Sequence, residues 1–516
     1  MGADVGAQGG YMLVAILLTS LAPGVAIFFL REEQFALRTF LNLAGAGLKV
    51  LLVVALLVGV YREGYTYRFS ATLLPGIDLV LAADALSLLF ASLSATLWLV
   101  TTVYAIGYLE GSPRRSRFFG FFSLCVSATV GIAFSGNLVT MLIFYEMLTL
   151  ATWPLVLHRG TSESFRAGHI YLAYTLFGGA ILLAAVVWLT VLAGSRDFMA
   201  DGYLSALYPE HATALTALFV LLIAGFGVKA ALLPLHSWLP RAMVAPAPVS
   251  ALLHAVAVVK AGAFGIVRVV HDVYGIRLAA EMGVMRPLMW VAIATIVYGS
   301  VRALFAQDLK RRLAFSTVSQ VSYIVLGVSL AGPLGAMGGL VHLVHQGVMK
   351  ITLFFCAGNF AETLGIHRTG EMGGVGRRMP WTLAAFTLAG LGMIGVPPMA
   401  GFITKWYLGL GALESGQGWV IAVLVISSLL NAAYFLPPIL VGWFGRPASP
   451  WDRERFRGHR LETHWMLLLP TMMVAILALG MGLLASAPYS PLGWVSFIFG
   501  VAPGHGPGGL AGGTVP

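Results

Sequence analysis

Charge is what this chain has least of. Asp, Glu, Lys and Arg make up 10% of its 516 residues, against 59% hydrophobic residues. Soluble domains carry roughly 25% charged residues. The mean hydropathy is +0.87. This shortage excludes a water-soluble globular domain and leaves the bilayer as the solvent that fits. Cysteine is nearly absent as well. Cys125 and Cys356 stand in apolar runs, with no CxxC, no iron–sulfur spacing and no zinc set, and read as small core residues. No metal and no cofactor is expected in the chain. The N-terminus lacks the basic region of a cleaved signal peptide, so the first apolar run is expected to be a retained helix. No P-loop, HExxH or nucleophile elbow is present. The GLGMIG run from Gly390 to Gly395 has no preceding strand and leads straight into Pro397 and Pro398, so it is not a dinucleotide site. The formal charge of +10 sits in short loops without a basic, aromatic-interleaved face, which excludes nucleic acid as a partner.

What the chain does have is long apolar runs. A spanning helix needs about 20 mostly apolar residues. Such runs lie near 11–30, 41–60, 80–108, 118–134, 138–157, 169–194, 213–233, 244–271, 288–305, 313–331, 335–361, 381–410, 418–443 and 465–486. The expected fold is all-α and polytopic, with about fourteen transmembrane helices. A further stretch at 491–501 is too short to span, and the Gly/Pro-rich tail 502–516 is expected to be poorly ordered. Odd-numbered loops hold 20 Lys and Arg, and even-numbered loops hold 5. The positive-inside bias then puts the odd loops in the cytoplasm and both termini outside.

Lysine and arginine are sorted. Of 25 Arg, nearly all sit in loops or at helix ends; of 6 Lys, five sit inside apolar runs, at Lys49, Lys229, Lys260, Lys350 and Lys405. A charge at mid-bilayer costs at least ~2.5–3.5 kcal/mol on insertion scales, so these residues need partners, water or a task. A buried lysine exchanges a proton readily, whereas arginine stays charged. The sorting is what a proton path requires.

Glu146, in LIFYEMLTL, is the only carboxylate deep in an apolar run. It reads as a charge partner for a lysine, or as a helix-end acid reaching the headgroups. Lys229 is followed closely by Pro234 and Pro240, and Lys405 follows Pro397 and Pro398. Proline breaks the helical ladder, and broken helices at membrane depth border protein or a wet cavity. His254 and Lys260 are six residues apart, roughly 9 Å along one helix, so water would have to bridge them. His342, His345 and Lys350 share the eleventh run. The histidine pair could hold a metal, but no acid or thiol stands nearby, and a hydrated relay is the preferred reading. The two Pro-broken helices, seventh and twelfth, lie five helices apart. An odd offset reverses direction, which predicts two inverted five-helix repeats with the transport site at the breaks. Asp84 is expected near the outer end of the third helix, in a helix-end, packing or accessory role. Lys49 lies outside both repeats and is expected either to snorkel or to face a partner subunit.

The segments NLVTMLIFYEMLTLATWPL, KAALLPLHSWLPRAMVAPAPVSALLHAVAVVKAG, DLKRRLAFSTVSQVSYIVLG and IGVPPMAGFITKW are similar to one family. The chain resembles, over roughly 75–470, the antiporter-like proton-channel subunits shared by respiratory complex I, Mrp-type cation/proton antiporters and membrane-bound hydrogenases. The resemblance implies fourteen helices with inverted repeats: helices one to three in 1–110, the first repeat in 111–275, the second in 276–445, and the last helix with a flexible tail in 446–516. It implies proton translocation through Glu146, Lys229, His254, Lys260, His345, Lys350 and Lys405; His342, Asp84 and Lys49, by their positions in the apolar runs, are candidate accessories. It implies membrane-subunit partners in a hetero-oligomer and a prokaryotic plasma membrane.

Two departures stand out. Arg241 follows HSWLP where the family usually has an acid, and the chain ends soon after the fourteenth helix, without the long lateral helix of the largest complex I sibling. HQGVMKITLFFCAGN and GRRMPWT look most like the D subunit of Mrp-type Na+/H+ antiporters, with the medium-sized antiporter-like subunit of complex I close behind. The membrane carboxylates are too few to assign a sodium site to this chain alone. The chain carries no redox centre, so it is a translocase only as part of complex I. The remaining alternatives are a hydrogenase subunit, the membrane subunit of an energy-coupled inorganic-carbon transporter, and a purely structural subunit.

Overall fold

The computed structural model describes residues 6–447, 450–451, 454–456 and 462–500. The tail 502–516 lies outside the described residues, and so do Arg453, Arg457 and Arg460 of the last long loop.

Among the described residues, fourteen membrane-crossing segments follow one another. They are α1 (Gly6–Phe28), α2 (Phe35–Glu63), α3 (Ala85–Tyr108), α4 (Arg115–Ala133), α5 (Leu138–Val156), α6 (Ser162–Ala193) and α7 (Tyr208–Ala230). Then come α8 (Ala247–Tyr274), α9 (Met285–Phe305), α10 (Leu309–Ser329), α11 (Pro333–Leu364), α12 in two halves (Pro380–Ile394 and Ala400–Glu414), α13 (Val420–Phe444) and α14 (Trp465–Leu483). Among the described residues, twelve of these are long and apolar enough to span on their own. The two exceptions are α10, which starts with the polar run LKRR, and α12, which is split. A short helix, α15 (Pro491–Ile498), takes the place of the stretch judged too short to span.

Helix starts are written locally. The side chains of Asn137, Thr161 and Asp308 each accept a backbone N–H from the first turn of α5, α6 and α10. Each satisfies one of the donors that a helix start leaves unpaired.

One element differs from the sequence expectation. The third apolar run, read from 80, begins as a strand. β1 (Tyr67–Leu74) and β2 (Ile77–Ala83) form an antiparallel hairpin with Tyr67 opposite Ala83. Its turn holds Gly76 at φ +79°, a conformation that suits glycine. A Pro-Gly pair between two runs of β-favouring residues was the readable signal, masked by hydropathy. The hairpin is bonded to the end of α4 by Ala82 N–H to the Phe134 carbonyl at 2.7 Å.

Neighbour order repeats. α4 packs on α5, α5 on α6, α6 on α7 and α7 on α8; α9 on α10, α10 on α11, α11 on α12 and α12 on α13 follow the same scheme. Successive crossings alternate in direction, so the five-helix offset makes the second set an inverted copy of the first. Both breaks fall at the matching helix, after Ala230 in α7 and after Ile394 in α12. At the centre, α8 and α11 are buried on every side over their middle turns. Peripheral helices turn large apolar residues outward, such as Leu51 and Val191, as a lipid-facing surface does.

Candidate functional site

The two central helices carry most of the ionisable residues singled out in the sequence. His254 and Lys260 lie on α8, and His342, His345 and Lys350 on α11, each at most 1% exposed. Glu146 on α5, Lys229 at the end of α7 and Lys405 on the second half of α12 flank them.

The α7 break explains how Lys229 is held. Ala231 takes φ +57° and ends the helix. Of the carbonyls freed there, that of Val228 accepts from Trp238 Nε1 at 2.8 Å and that of Gly227 from Leu232 N–H at 3.0 Å. Leu233 N–H bonds Thr295 of α9 at 3.1 Å. Irregular backbone at membrane depth is thus satisfied by protein. Lys229 Nζ donates to the Tyr145 carbonyl and lies 3.4 Å from the centre of the Tyr145 ring. Glu146 is next in sequence. It and Lys229 are electrostatic neighbours without a direct ion pair of 4.0 Å or less among the described residues. Glu146 packs against Gly179 of α6, where a methyl group would collide with its carboxylate.

The α12 break repeats the device. Gly395 ends the first half at φ +91°. Lys405 Nζ donates back to the freed Ile394 carbonyl and to Ser428 Oγ of α13, the latter at 2.6 Å, while Asn431 Nδ2 donates to the Met393 carbonyl at 3.1 Å. Each broken helix thus carries a lysine whose amine donates to a backbone carbonyl, that of Tyr145 on α5 for Lys229 and that of Ile394 at the break itself for Lys405.

Between the breaks, Lys350 Nζ donates to Ser316 Oγ at 2.6 Å and to the Leu313 carbonyl at 3.1 Å, both on α10. Tyr434 OH also reaches Ser316, at 3.0 Å. His345 Nδ1 meets Thr404 Oγ1 at 3.3 Å. His254 lies against the Phe354 ring at 4.6 Å. It occupies a π-helical stretch, Leu252–Val256, that ends at a non-helical Ala257. His254 and Lys260 therefore stand on either side of a helix interruption, not along one continuous helix as their spacing of six suggested. Lys260 acts electrostatically on both His342 and Lys350.

Several buried polar atoms of this row have no hydrogen-bond partner among the described residues: Glu146 Oε1, both ring nitrogens of His254 and His342, Lys260 Nζ, His345 Nε2, and the amides of Gln320 and Gln346. Gln320, Ser316, Tyr323, Asn431 and Tyr434 were missed from the sequence. The stripe Ser316, Gln320, Tyr323 recurs at helical spacing on α10 and was the available signal.

Two residues do not join the row. Asp84 caps α3, accepting from Ser87 N–H at 2.6 Å, and pairs with the buried Arg268 of α8 at 2.7 Å. Arg268 also pairs with Asp272 at 2.6 Å. Desolvation works against the Asp84 charge, but the Arg268 guanidinium and the Ser87 hydrogen bonds outweigh it and hold the carboxyl below the usual carboxylate range. Lys49 neither snorkels nor faces outward. It is fully buried between α1, α2, α3 and α4, and donates to Ser20 Oγ at 2.6 Å. Among the described residues, no cluster of three or more His, Cys, Asp or Glu could hold a metal ion.

Comparison with known proteins agrees with this architecture. Residues 135–431 match the family model described as NADH:quinone oxidoreductase/Mrp antiporter, TM. Residues 75–119 match the one described as NADH-Ubiquinone oxidoreductase (complex I), chain 5 N-terminus. The N subunit of the NADH-quinone oxidoreductase of Desulforudis audaxviator is 37% identical over 418 residues, 79% of this chain and 81% of that one. The D subunit of the Na(+)/H(+) antiporter of Alkalihalophilus pseudofirmus is 24% identical over 475 residues, 92% of this chain and 94% of that one. A chain in the structure of the Mrp complex from Dietzia sp. superposes with a TM-score of 0.83 at 22% identity, covering 95% of this chain and 97% of that one, which bears on fold alone. With the family model matching more than half its length, this multi-pass membrane protein belongs to the NADH:quinone oxidoreductase/Mrp antiporter family of transmembrane subunits.

Proposed function

We propose that the chain is a proton-translocating subunit of a multisubunit membrane complex, passing protons along Glu146, Lys229, His254, Lys260, His345, Lys350 and Lys405. The observation that carries this reading is the run of buried polar atoms without protein partners along α8 and α11. An unsatisfied buried polar group costs about 1–3 kcal/mol, and water between these groups is the partner that would satisfy them. Amines and imidazoles joined by water can relay a proton, because each can give one up. A charge arriving on Lys260 repels one on Lys350. Loading one site thus favours discharge of the next, and the coupling needs no large movement. The two half-repeats supply the entry and exit. Asp84 and His342 act as accessories to the row.

The energy source lies in other subunits. The 37% identity to the N subunit of a quinone oxidoreductase favours a redox-driven complex. A second reading, the D subunit of a Na+/H+ antiporter, is favoured by an alignment that spans nearly the full length of both chains. Co-purified subunits separate the two: iron–sulfur and flavin proteins for the first, a set of small membrane subunits for the second. In either case the odd loops face the cytoplasm and both termini face outward across a prokaryotic inner membrane, in keeping with the Lys and Arg distribution.

The test is proton-coupled transport by the complex reconstituted in vesicles. Lys229→Ala and Glu146→Gln are each expected to lower the rate by about 10²-fold, the scale of a lost proton-transfer group. Wild-type rates in both variants, in assembled complex, would leave a purely structural subunit as the reading.

A further inference from the structure

Lys49 has no place in that row, yet it is built like a site. It stands at the centre of the 29-residue α2, fully buried. Its Nζ donates to Ser20 Oγ of α1 at 2.6 Å, and Ser20 Oγ shares a 2.6 Å hydrogen bond with Ser127 Oγ of α4. The Trp98 ring of α3 lies 5.3 Å from Nζ. Trp98 Nε1, and Ser94 Oγ one helical turn away, are buried without a hydrogen-bond partner among the described residues.

The charged surroundings are sparse. Around Lys49, α2 packs against α1, α3 and α4; its far end, which carries Tyr61, Arg62 and Glu63, also meets α15 through the Tyr61 ring. α1 and α3 contain no Asp, Glu, Lys, Arg or His, and their tyrosines are the only groups there that titrate. α4 carries Arg115 and Arg117 in its first turn, about three turns from Ser127, and Cys125 within it. On α2 itself, Arg38 and Arg62 lie near opposite ends. Among the described residues Lys49 thus has no counter-ion, which a permanently charged buried amine would need.

The buried stripe of α2 is asymmetric about Lys49. Toward loop 1 it carries Asn42 and Arg38; toward loop 2 it carries Val53 and Leu56. Facing the polar half, α4 presents Ser116, Ser123 and Ser127. Arg38 Nη1 donates to Ser116 Oγ at 2.9 Å, Asn42 Nδ2 to the Arg38 carbonyl at 2.9 Å, and Ser123 Oγ to Asn42 Oδ1 at 3.2 Å. At the surface, the Glu32 carboxylate accepts from Arg115 N–H at 3.0 Å and Ser116 N–H at 3.1 Å. A ladder of polar groups therefore runs from the loop 1–loop 3 surface to mid-membrane. On α2 the two turns from Asn42 to Lys49 carry Gly45, packed against the Thr19 carbonyl of α1, and Ala46. The ladder continues instead along α4, where one turn separates Ser123 from Ser127 and its partner Ser20.

We propose that Lys49 is a further proton-binding site, loaded through this half-channel from the loop 1–loop 3 face and closed toward the opposite face by Val53 and Leu56. The amine takes a proton from hydronium on that face, one O–H bond of the hydronium breaking as the N–H bond of the ammonium forms and water is left; the reverse step returns the proton to the same face. Its effect on transport rests on the proton-translocation reading, but its one-sided access does not.

Access is tested in the assembled complex with Cys125 and Cys356 replaced by Ser. Asn42→Cys, Lys49→Cys and Val53→Cys are each exposed to a membrane-impermeant methanethiosulfonate from one side or the other. Expected is reaction of the first two from the loop 1–loop 3 side only, and none at Val53. Protection of all three, or reaction from the opposite side, overturns the half-channel. The role of the proton is tested with Lys49→Met and Lys49→Arg. Methionine removes a buried unpaired amine, so folding is retained. Arginine keeps the charge but does not release its proton. Both are expected to slow transport by about tenfold at unchanged complex abundance. A wild-type rate in either variant overturns the site. Failure of the wider reading shows separately, as an unaffected Lys229→Ala.

Discussion

Lys229 Nζ lies 3.4 Å from the centre of the Tyr145 ring and donates to the Tyr145 carbonyl, one residue before Glu146. The amine is held by the backbone and ring of the neighbouring residue, not by a direct contact with the carboxylate. A lysine tied into a close ion pair would hold its proton tightly. One held by a carbonyl and a π face keeps contacts that do not depend on the carboxylate, which is left free to move.

Tyr145 is therefore expected to matter through its ring. Tyr145→Phe loses the hydroxyl bond to the Gly225 carbonyl at 3.0 Å, worth about 1 kcal/mol, and should lower the melting temperature while leaving transport within about twofold. Tyr145→Leu also loses the cation–π contact, about 2 kcal/mol when desolvated, and should slow transport roughly tenfold or more. Equal rates in the two variants, measured in reconstituted vesicles, would count against this role of the ring.

Ser316 bridges Lys350 and Tyr434. Ser316→Ala removes one acceptor from Lys350 Nζ and Tyr434 OH and leaves them the Leu313 carbonyl and Asn431 Oδ1, a loss of about 1 kcal/mol. Transport is expected to fall by roughly fivefold or more with the complex still assembled. Ser316→Thr, which keeps the hydroxyl, should restore most of it.

Asn431 closes the α12 break by donating to the Met393 carbonyl and accepting from Tyr434 OH. Asn431→Leu strands the Met393 carbonyl and leaves Tyr434 OH only Ser316 Oγ, and should destabilise the subunit by about 1–3 kcal/mol, read as a lower thermal midpoint in detergent. Asn431→Gln, with the amide retained on a longer side chain, should fall between.

At the N-terminal end of α3, Asp84 is ionised and bound to Arg268 in the folded protein. Its folded pKa lies below the unfolded one. The stability it contributes is thus fully present above about pH 4 and is lost as pH falls through the lower folded value. Asp84→Asn keeps the helix cap but removes the charge. Its midpoint should lie below wild type at neutral pH, and the gap should shrink below about pH 4. A gap that stays constant between pH 6 and pH 3 would show that the charge is not what stabilises. Arg268→Met should be worse than Asp84→Asn, since Asp84 and the buried Asp272 would both lose their guanidinium and Asp272 would keep only His271.

Much of this protein was local enough to read from residue order. The fourteen crossings follow from the length of apolar runs, because each helix satisfies its own backbone in lipid. The matched breaks follow from prolines at a five-helix offset, and the row follows from lysines that have no other reason to sit in hydrocarbon. What surrounds those lysines was not local. The Tyr145 carbonyl, Ser316, Ser428 and Ser20 come from other helices, and helix facing is set by packing, which periodicity cannot resolve in helices buried on every side. The same reason hid the inward turn of Lys49. Hydropathy alone allowed it to face lipid or a partner, and only the seating of α2 against α1, α3 and α4 put its amine beside Ser20.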